Sequence, residues 1–156
     1  MDTSPLAVEG RLAAFQRRCA GLGLALTPQR LAIYRMLAGD PTHPTAEDVF
    51  RHVKPGMPSL SLATVYRTLE LFEGHGLVSR VLTDGAQARF DANLEEHHHL
   101  LCVRCRSVHD FQDPRLNQLP LADAAPQGFH VLGHRIQVLG LCPACQDGQT
   151  SPDPGE

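Results

Sequence analysis

The sequence predicts an α+β fold in two parts: capped helices that run into a β-hairpin, the order of a winged helix-turn-helix, then a smaller α/β part rich in His and Cys. Three observations carry this. Four segments before residue 77 repeat apolar residues at helical spacing behind capping residues. Two short strand-like runs flank Asp84-Gly85. After Asp91 the texture changes, with six of nine His and four of five Cys lying beyond it. At 156 residues and 42% hydrophobic content the chain supports one ordinary domain or two small ones, which excludes a large multidomain enzyme. No apolar run approaches the ~18 residues that span a bilayer. The opening MDTSPLAVEG lacks a basic segment followed by an apolar one, so the expectation is a cytoplasmic protein.

The first helix is expected over 6–22, with Leu6, Leu12, Phe15, Cys19 and Leu22 on one stripe and Gly21 and Gly23 as stops. Thr27 followed by Pro28 reads as an N-cap and first helical residue, and Leu31, Ile33, Tyr34 and Leu37 supply a buried face up to Gly39. Thr45 caps AEDVFRHV, whose Glu47 and Asp48 complement the helix dipole, and Lys54-Pro55-Gly56 breaks it. Ser61 caps LATVYRTLELFEGHG, with Leu62, Val65, Leu69 and Phe72 as its core stripe, Thr64, Tyr66, Arg67 and Thr68 on the other face, and Gly74 or Gly76 as the stop. Residues 77–82 and 86–91 read as strands around an Asp-Gly turn. Beyond Asp91, strands are expected at 100–103, 107–111 and 129–141, with a short helix opened by Pro114 through Leu121 and curtailed by Pro120. The segment 147–156 has no residue to anchor it in a core and is expected to be disordered. The expected boundaries are 1–90, 91–146 and 147–156.

Charge alone does not argue for nucleic acid: the net charge is −3, and the basic excess up to Asp91 is a single residue. The case rests on the motif. A capped helix of about 14 residues fits the major groove and here offers hydroxyls and one Arg to base edges and phosphates. A helical subdomain with a hairpin and no DNA role is the competing reading of the same spacing.

Two CxxC pairs, Cys102 with Cys105 and Cys142 with Cys145, supply the four thiolates that tetrahedral structural zinc requires. In a reducing compartment metal ligation is favoured over disulfides. Separate redox pairs, unrelated buried thiols and a reversible disulfide switch are the alternatives. Cys19 reads as a buried helix thiol. The segment from Asp91 to His99 gathers carboxylates and imidazoles. On extended backbone His97 and His99 share a side and His98 takes the other, which makes two sites natural. Such a mixed set suits Fe(II), Mn(II), Zn(II) or Co(II), and a solvated polar loop is the alternative. His43 before Pro44, and His109 beside Asp110, are each ambiguous between ligand and surface residue. His52, His75 and His130 read as structural or solvated.

LTPQR (26–30), HPTAEDVF (43–50), SLATVYRTLELF (61–72), ARFD (88–91), HHHLLCVRC (97–105) and GLCPAC (140–145), in this order and spacing, resemble the ferric uptake regulator (Fur) superfamily of metal-dependent bacterial repressors. The resemblance runs from about Gly23 to Cys145. It implies a homodimer, each chain with an N-terminal winged-helix DNA-binding domain and a C-terminal α/β dimerisation domain, and no membrane role. It places structural Zn2+ on Cys102, Cys105, Cys142 and Cys145. It places regulatory Fe2+ or Mn2+ on His43, Asp91, His97, His99 and Asp110. An additional ligand set would fall on Glu96, His98 and His134, with Asn117 where a carboxylate is expected. The reading helix maps to Ser61 through Gly74, with Tyr66 and Arg67 approaching DNA, Ser61, Thr64 and Arg30 as further DNA-binding candidates, and Arg89 as a phosphate or minor-groove candidate.

Asp at both acidic positions, 91 and 110, resembles the peroxide-stress regulator (PerR) subfamily. That resemblance implies a repressor of a palindromic operator, released when Fe(II)-catalysed oxidation converts His43 or His97 to 2-oxo-histidine. The alternatives are an iron- or manganese-level regulator without peroxide sensing, and behind it a zinc sensor, for which a regulatory Cys is missing. Outside the class stand a zinc hydrolase built on His97, His99 and an Asp, which lacks an HExxH motif, and a zinc-buffering protein. The expectation is a regulator and not an enzyme.

Overall fold

Side-chain caps set where the helices begin. Ser4 Oγ accepts the Ala7 N–H ahead of α1 (Pro5–Gly21), Thr27 Oγ1 accepts that of Arg30 ahead of α2 (Pro28–Gly39), and Ser61 Oγ accepts that of Thr64 ahead of α4 (Leu62–Gly74). α3 (Ala46–Val53) starts on a reciprocal capping box between Thr45 and Asp48, and the Thr45 backbone and hydroxyl together hold the Asp48 carboxyl below its ordinary range against the cost of burial. Pro opens α1 and α2, where an N–H has no helical partner in any case. Gly23 and Gly76, at φ +67° and +62°, close α1 and α4 in the left-handed conformation, with Leu24 and Leu77 N–H returning to the carbonyls of Cys19 and Phe72. Lys54–Gly56 tightens into a 3-10 turn, so the segment expected to break α3 extends it by one turn.

The computed structural model describes residues 2–81, 87–118, 128, 130 and 134–147, and the chain divides into two compact units, Met1–Leu94 and Glu95–Glu156. In the first, α4 leads to an antiparallel pair, β1 (Ser79–Val81) and β2 (Arg89–Asp91), in which Ser79 faces Asp91. The expected Asp84-Gly85 turn lies outside the described residues. The core of this unit is aromatic at its centre. Phe15 and Tyr34 stack at 3.8 Å, and Phe72 meets Phe15 edge-on at 5.1 Å. Burial pushes the Tyr34 phenol above its ordinary range, so it stays neutral. Ile33, Leu37, Val49, Leu60, Val65 and Leu69 close around the rings. α1 is also fastened at two helix ends: Arg11 donates to the Ala38 carbonyl at 2.7 Å and Arg18 to that of Gly76 at 2.8 Å, supplying donors to carbonyls near the ends of α2 and α4.

Four side chains depart from the expected pattern, the first being Leu62, which stands in the opening turn of α4 half-buried and outside the core. Leu6 is 86% exposed because, at 100° per residue, it lies across the helix from Leu12, Phe15 and Cys19. Leu22 is exposed because it follows the last residue of α1. Thr68, expected on the polar face of α4, is buried, since it sits three residues after Val65 and four before Phe72.

The second unit is built on a three-stranded sheet ordered β4-β3-β5. β3 (His98–Cys102) pairs antiparallel with β4 (Val108–Phe111) and parallel with β5 (Gln137–Gly140). Two one-turn helices follow β4 and β5: α5 (Pro114–Asn117), capped by Asp113, and α6 (Pro143–Gln146). The expected helix through Leu121 and the strand from 129 run partly outside the described residues, and the expected disordered segment does so beyond Asp147. β5 is exposed along its whole length.

If the ring cluster centres the first unit, Phe15→Ala costs about 3–5 kcal/mol in chemical denaturation. Leu6→Ala stays within about 0.5 kcal/mol. Equal losses at the two positions would contradict this packing.

Candidate metal centres and DNA-reading helix

The parallel pairing of β3 with β5 sets Cys102 against Gly140, so both CxxC turns start at the same end of the sheet. The four sulfurs lie within 4.8 Å of one another, and Cys105 Sγ is 3.7 Å from Cys142 Sγ. Four thiolates about 2.3 Å from a tetrahedral zinc lie about 3.8 Å apart, so the donor set and its size fit that ion. The Cys142 N–H reaches Cys102 Sγ at 3.4 Å and, with further backbone N–H groups, lowers the Cys102 thiol to about 5. The Ser107 hydroxyl, 3.2 Å from Cys105 Sγ, lowers that thiol too. The thiolate is the form that ligates metal. All five cysteines are free of disulfides, and Cys19 is buried in the helical core as expected.

In the same unit, His97 and His99 share a side, as the two-residue period requires. Their Nε2 atoms lie 3.0 Å apart and 3.6 and 3.7 Å from Asp110 Oδ1, which β4 delivers by pairing Asp110 opposite His99. His97 Nδ1 is 2.7 Å from the Glu95 carbonyl. A carbonyl only accepts, so Nδ1 carries the proton and the neutral ring presents a lone pair at Nε2. Two buried imidazoles beside a carboxylate are a donor set suited to a divalent ion.

His98, on the opposite face, is fully buried, and its Nε2 is 2.8 Å from Asn117 Oδ1. His134 Nε2 is 2.6 Å from the Leu116 carbonyl, and its ring stacks 6.2 Å from that of His98. Glu96 is exposed. Both imidazoles thus spend Nε2 on hydrogen bonds to α5, and the amide of Asn117 brings no charge to a cation.

In the first unit, His43 and Asp91 are both buried, with Nε2 3.7 Å from Oδ2. Asp91 Oδ1 accepts the Asn93 N–H at 2.7 Å. His43 has φ +56°, a left-handed conformation uncommon for a residue with a side chain. β2 holds the segment there: Thr45 bridges to Arg89, the Phe90 N–H reaches the Pro44 carbonyl at 3.1 Å, and Arg89 Nη1 donates to the His43 carbonyl at 3.0 Å. Sequence reading offers Arg89 as a candidate phosphate or minor-groove contact and does not anticipate this bond. Nothing local to either residue signals a bond across 46 positions.

On α4, Ser61 and Thr64 form the cap itself, their hydroxyls 2.8 Å apart. Tyr66 is 38% exposed and donates its hydroxyl to Glu47 Oε1 at 2.6 Å, which raises its pKa. Glu47, read only as a dipole partner, is therefore also the residue that orients Tyr66. Arg67 is exposed. Arg30 donates to the Ala25 carbonyl at 2.6 Å just ahead of α2.

The model of the "Ferric uptake regulator family" matches residues 21–139. The peroxide-responsive repressor PerR of Staphylococcus aureus (strain Mu50) is 38% identical over 125 residues, covering 80% of this chain and 84% of that protein. Among solved structures, the ferric uptake regulator of Pseudomonas aeruginosa with manganese is 30% identical at a TM-score of 0.66, covering 82% of this chain and 97% of that one. The fold alone is shared with the Helicobacter pylori Fur structure, at 23% identity, a TM-score of 0.72 and coverage of 89% and 93%. The motif order, the four-thiolate cluster, the helices leading into a strand pair and the match over most of its length agree: this chain belongs to the ferric uptake regulator family.

Proposed function

We propose that this protein is a metal-dependent, DNA-binding transcriptional repressor that acts as a homodimer on a palindromic operator and is released from it by peroxide. The observation that carries the reading is the cluster of two buried imidazoles, His97 and His99, and the half-buried Asp110 carboxylate, with His97 Nδ1 turned to the Glu95 carbonyl and Nε2 toward the other two.

His43 and Asp91 would complete the regulatory ligand set with His97, His99 and Asp110, and Cys102, Cys105, Cys142 and Cys145 would hold the structural zinc. Bound Fe(II) would supply an electron donor to peroxide beside His43 and His97, whereas Mn(II) would occupy the same ligands without that reactivity. Both acidic ligands are Asp, and a relative 38% identical is a peroxide-responsive repressor, which together favour peroxide over metal level as the signal. The chain's own residues do the rest. His43 and Asp91 come from the unit that carries the reading helix, so ligation by them favours one arrangement of that helix. A 100-fold preference of the ion for the DNA-competent form supplies about 2.7 kcal/mol of bias.

Tyr66 and Arg67 are exposed on α4, Ser61 and Thr64 stand at its capped start, and Arg30 stands at the start of α2, which supports groove and phosphate contacts by this unit. A second copy is supported by the exposed apolar pair on one face of the sheet, Leu100 of β3 and Val138 opposite it on β5. Action on DNA assigns the protein to the cytoplasm and to regulation rather than catalysis. No helix among the described residues is long and apolar enough to cross a membrane. Glu96, His98 and His134 are proposed as a structural cluster and not as a further ion site, because Glu96 is exposed and the residue that meets His98 is Asn117, an uncharged amide.

Zinc analysis tests the cysteine site. One zinc per chain is expected, Cys102→Ser loses it with a lower melting temperature, and Cys19→Ala keeps it. Because only thiolates ligate zinc, acid should release the ion as protons compete for the four sulfurs. Zinc retained in full by Cys102→Ser would contradict the assignment.

Peroxide sensing is tested anaerobically by loading the protein with Fe(II) or Mn(II), adding dilute peroxide, and measuring operator binding together with peptide masses. Loss of binding and one added oxygen on His43 or His97, in the Fe(II) sample alone, is the expected result. Metal-dependent binding that survives peroxide with unmodified peptides would leave an iron- or manganese-level repressor. Metal binding with no operator recognition at all would leave a metal-buffering protein.

A further inference from the structure

We infer that Arg89 is a positioning residue for the regulatory metal, acting through the backbone of His43. The inference rests on the reading of His43 as a ligand given above. Its independent ground is local and lies wholly within the first unit. His43 sits at φ +56°, a left-handed conformation that is unfavourable for a residue with a side chain and persists only where neighbours over-determine it. The following residue is Pro44, whose ring restricts the backbone of His43 further. Left to itself, this His-Pro step would relax to an extended conformation and swing the imidazole away.

Three successive residues of β2 oppose that relaxation. Arg89 Nη1 holds the His43 carbonyl at 3.0 Å, the Phe90 N–H holds the Pro44 carbonyl at 3.1 Å, and Asp91 Oδ2 stands 3.7 Å from His43 Nε2. Two of these are backbone or ligand groups that any strand ending in Asp would supply. The Arg89 guanidinium is the side chain that reaches the backbone of the strained residue. Its bond is partly buried and charge-assisted, hence stronger than a neutral one. The charge of Arg89 also helps to keep the Asp48 carboxyl, the partner of Thr45 in the α3 capping box, below its ordinary range. The segment 43–45 is thereby gripped at its carbonyls by β2 and at its end by the α3 cap. Arg89 would orient the His43 ring toward an ion without touching it, as outer-shell partners of metal ligands do.

The test uses the full zinc-loaded chain and Mn(II), a hard ion that avoids thiolates, with free Mn(II) read by electron paramagnetic resonance. Arg89→Gln should weaken Mn(II) binding about 10- to 100-fold while zinc content stays at the wild-type level. Arg89→Lys, which keeps a cationic donor, should recover most of the affinity. In a His43→Ala background, Arg89→Gln should produce no further loss, because its effect runs through His43. Operator binding by Mn(II)-saturated Arg89→Gln should keep the wild-type dependence on salt. Unchanged Mn(II) affinity in Arg89→Gln, or an equal loss in the His43→Ala background, would overturn the inference. A salt slope reduced by about 1 would make Arg89 a phosphate contact instead and overturn it likewise. Should His43→Ala bind Mn(II) as wild type does, the ligand reading of His43 fails and takes this inference with it. Failure at Arg89 alone leaves that reading standing.

Discussion

A β-strand sends successive side chains to opposite faces, and the second unit depends on how one strand uses that alternation. His97 and His99 turn to one side, where Asp110 meets them from β4. His98 turns to the other, where Asn117 engages it. The strand then ends on Cys102, beside the residues of β5 that lead to Cys142. A register slip of one residue would put His98 where the paired imidazoles belong and remove Cys102 from its cluster at the same time. The pairings on both sides, antiparallel to β4 and parallel to β5, hold the register against such a slip.

The first unit meets a different demand, which is to hold one residue in an unfavourable backbone conformation. It spends a whole strand on this. β2 is three residues long, and each contributes to the His43–Thr45 segment: a guanidinium, a backbone N–H and a carboxylate. The aromatic core and the two Arg fasteners of α1 give that strand and α4 a packed base. Structural rigidity and the strained position are thus consequences of one packing arrangement.

Much of this was legible in the sequence because it is local. Thr27, Thr45 and Ser61 announce helix starts within four residues of themselves, and the strand period separates His98 from His97 and His99 with no knowledge of the fold. The paired CxxC spacing identifies the thiolate cluster because few other uses of four cysteines look like it. What was not legible is tertiary. Thr68 looks polar until Val65 and Phe72 bury it. Leu6 looks apolar but faces away from the core. Glu47 orients Tyr66 across 19 positions, and Arg89 reaches His43 across 46. Residue type predicts such bonds poorly because a long polar side chain finds whichever acceptor the fold brings near it.

A thiolate site for a structural ion and an imidazole-carboxylate site for a regulatory one would divide the labour between two metals. X-ray absorption on protein loaded with both zinc and manganese tests it most directly, since it reads the donor atoms around each metal separately. The account predicts zinc surrounded by four sulfurs at about 2.3 Å and manganese surrounded by nitrogen and oxygen alone. Sulfur in the manganese shell, or nitrogen and oxygen replacing sulfur around zinc, would contradict it.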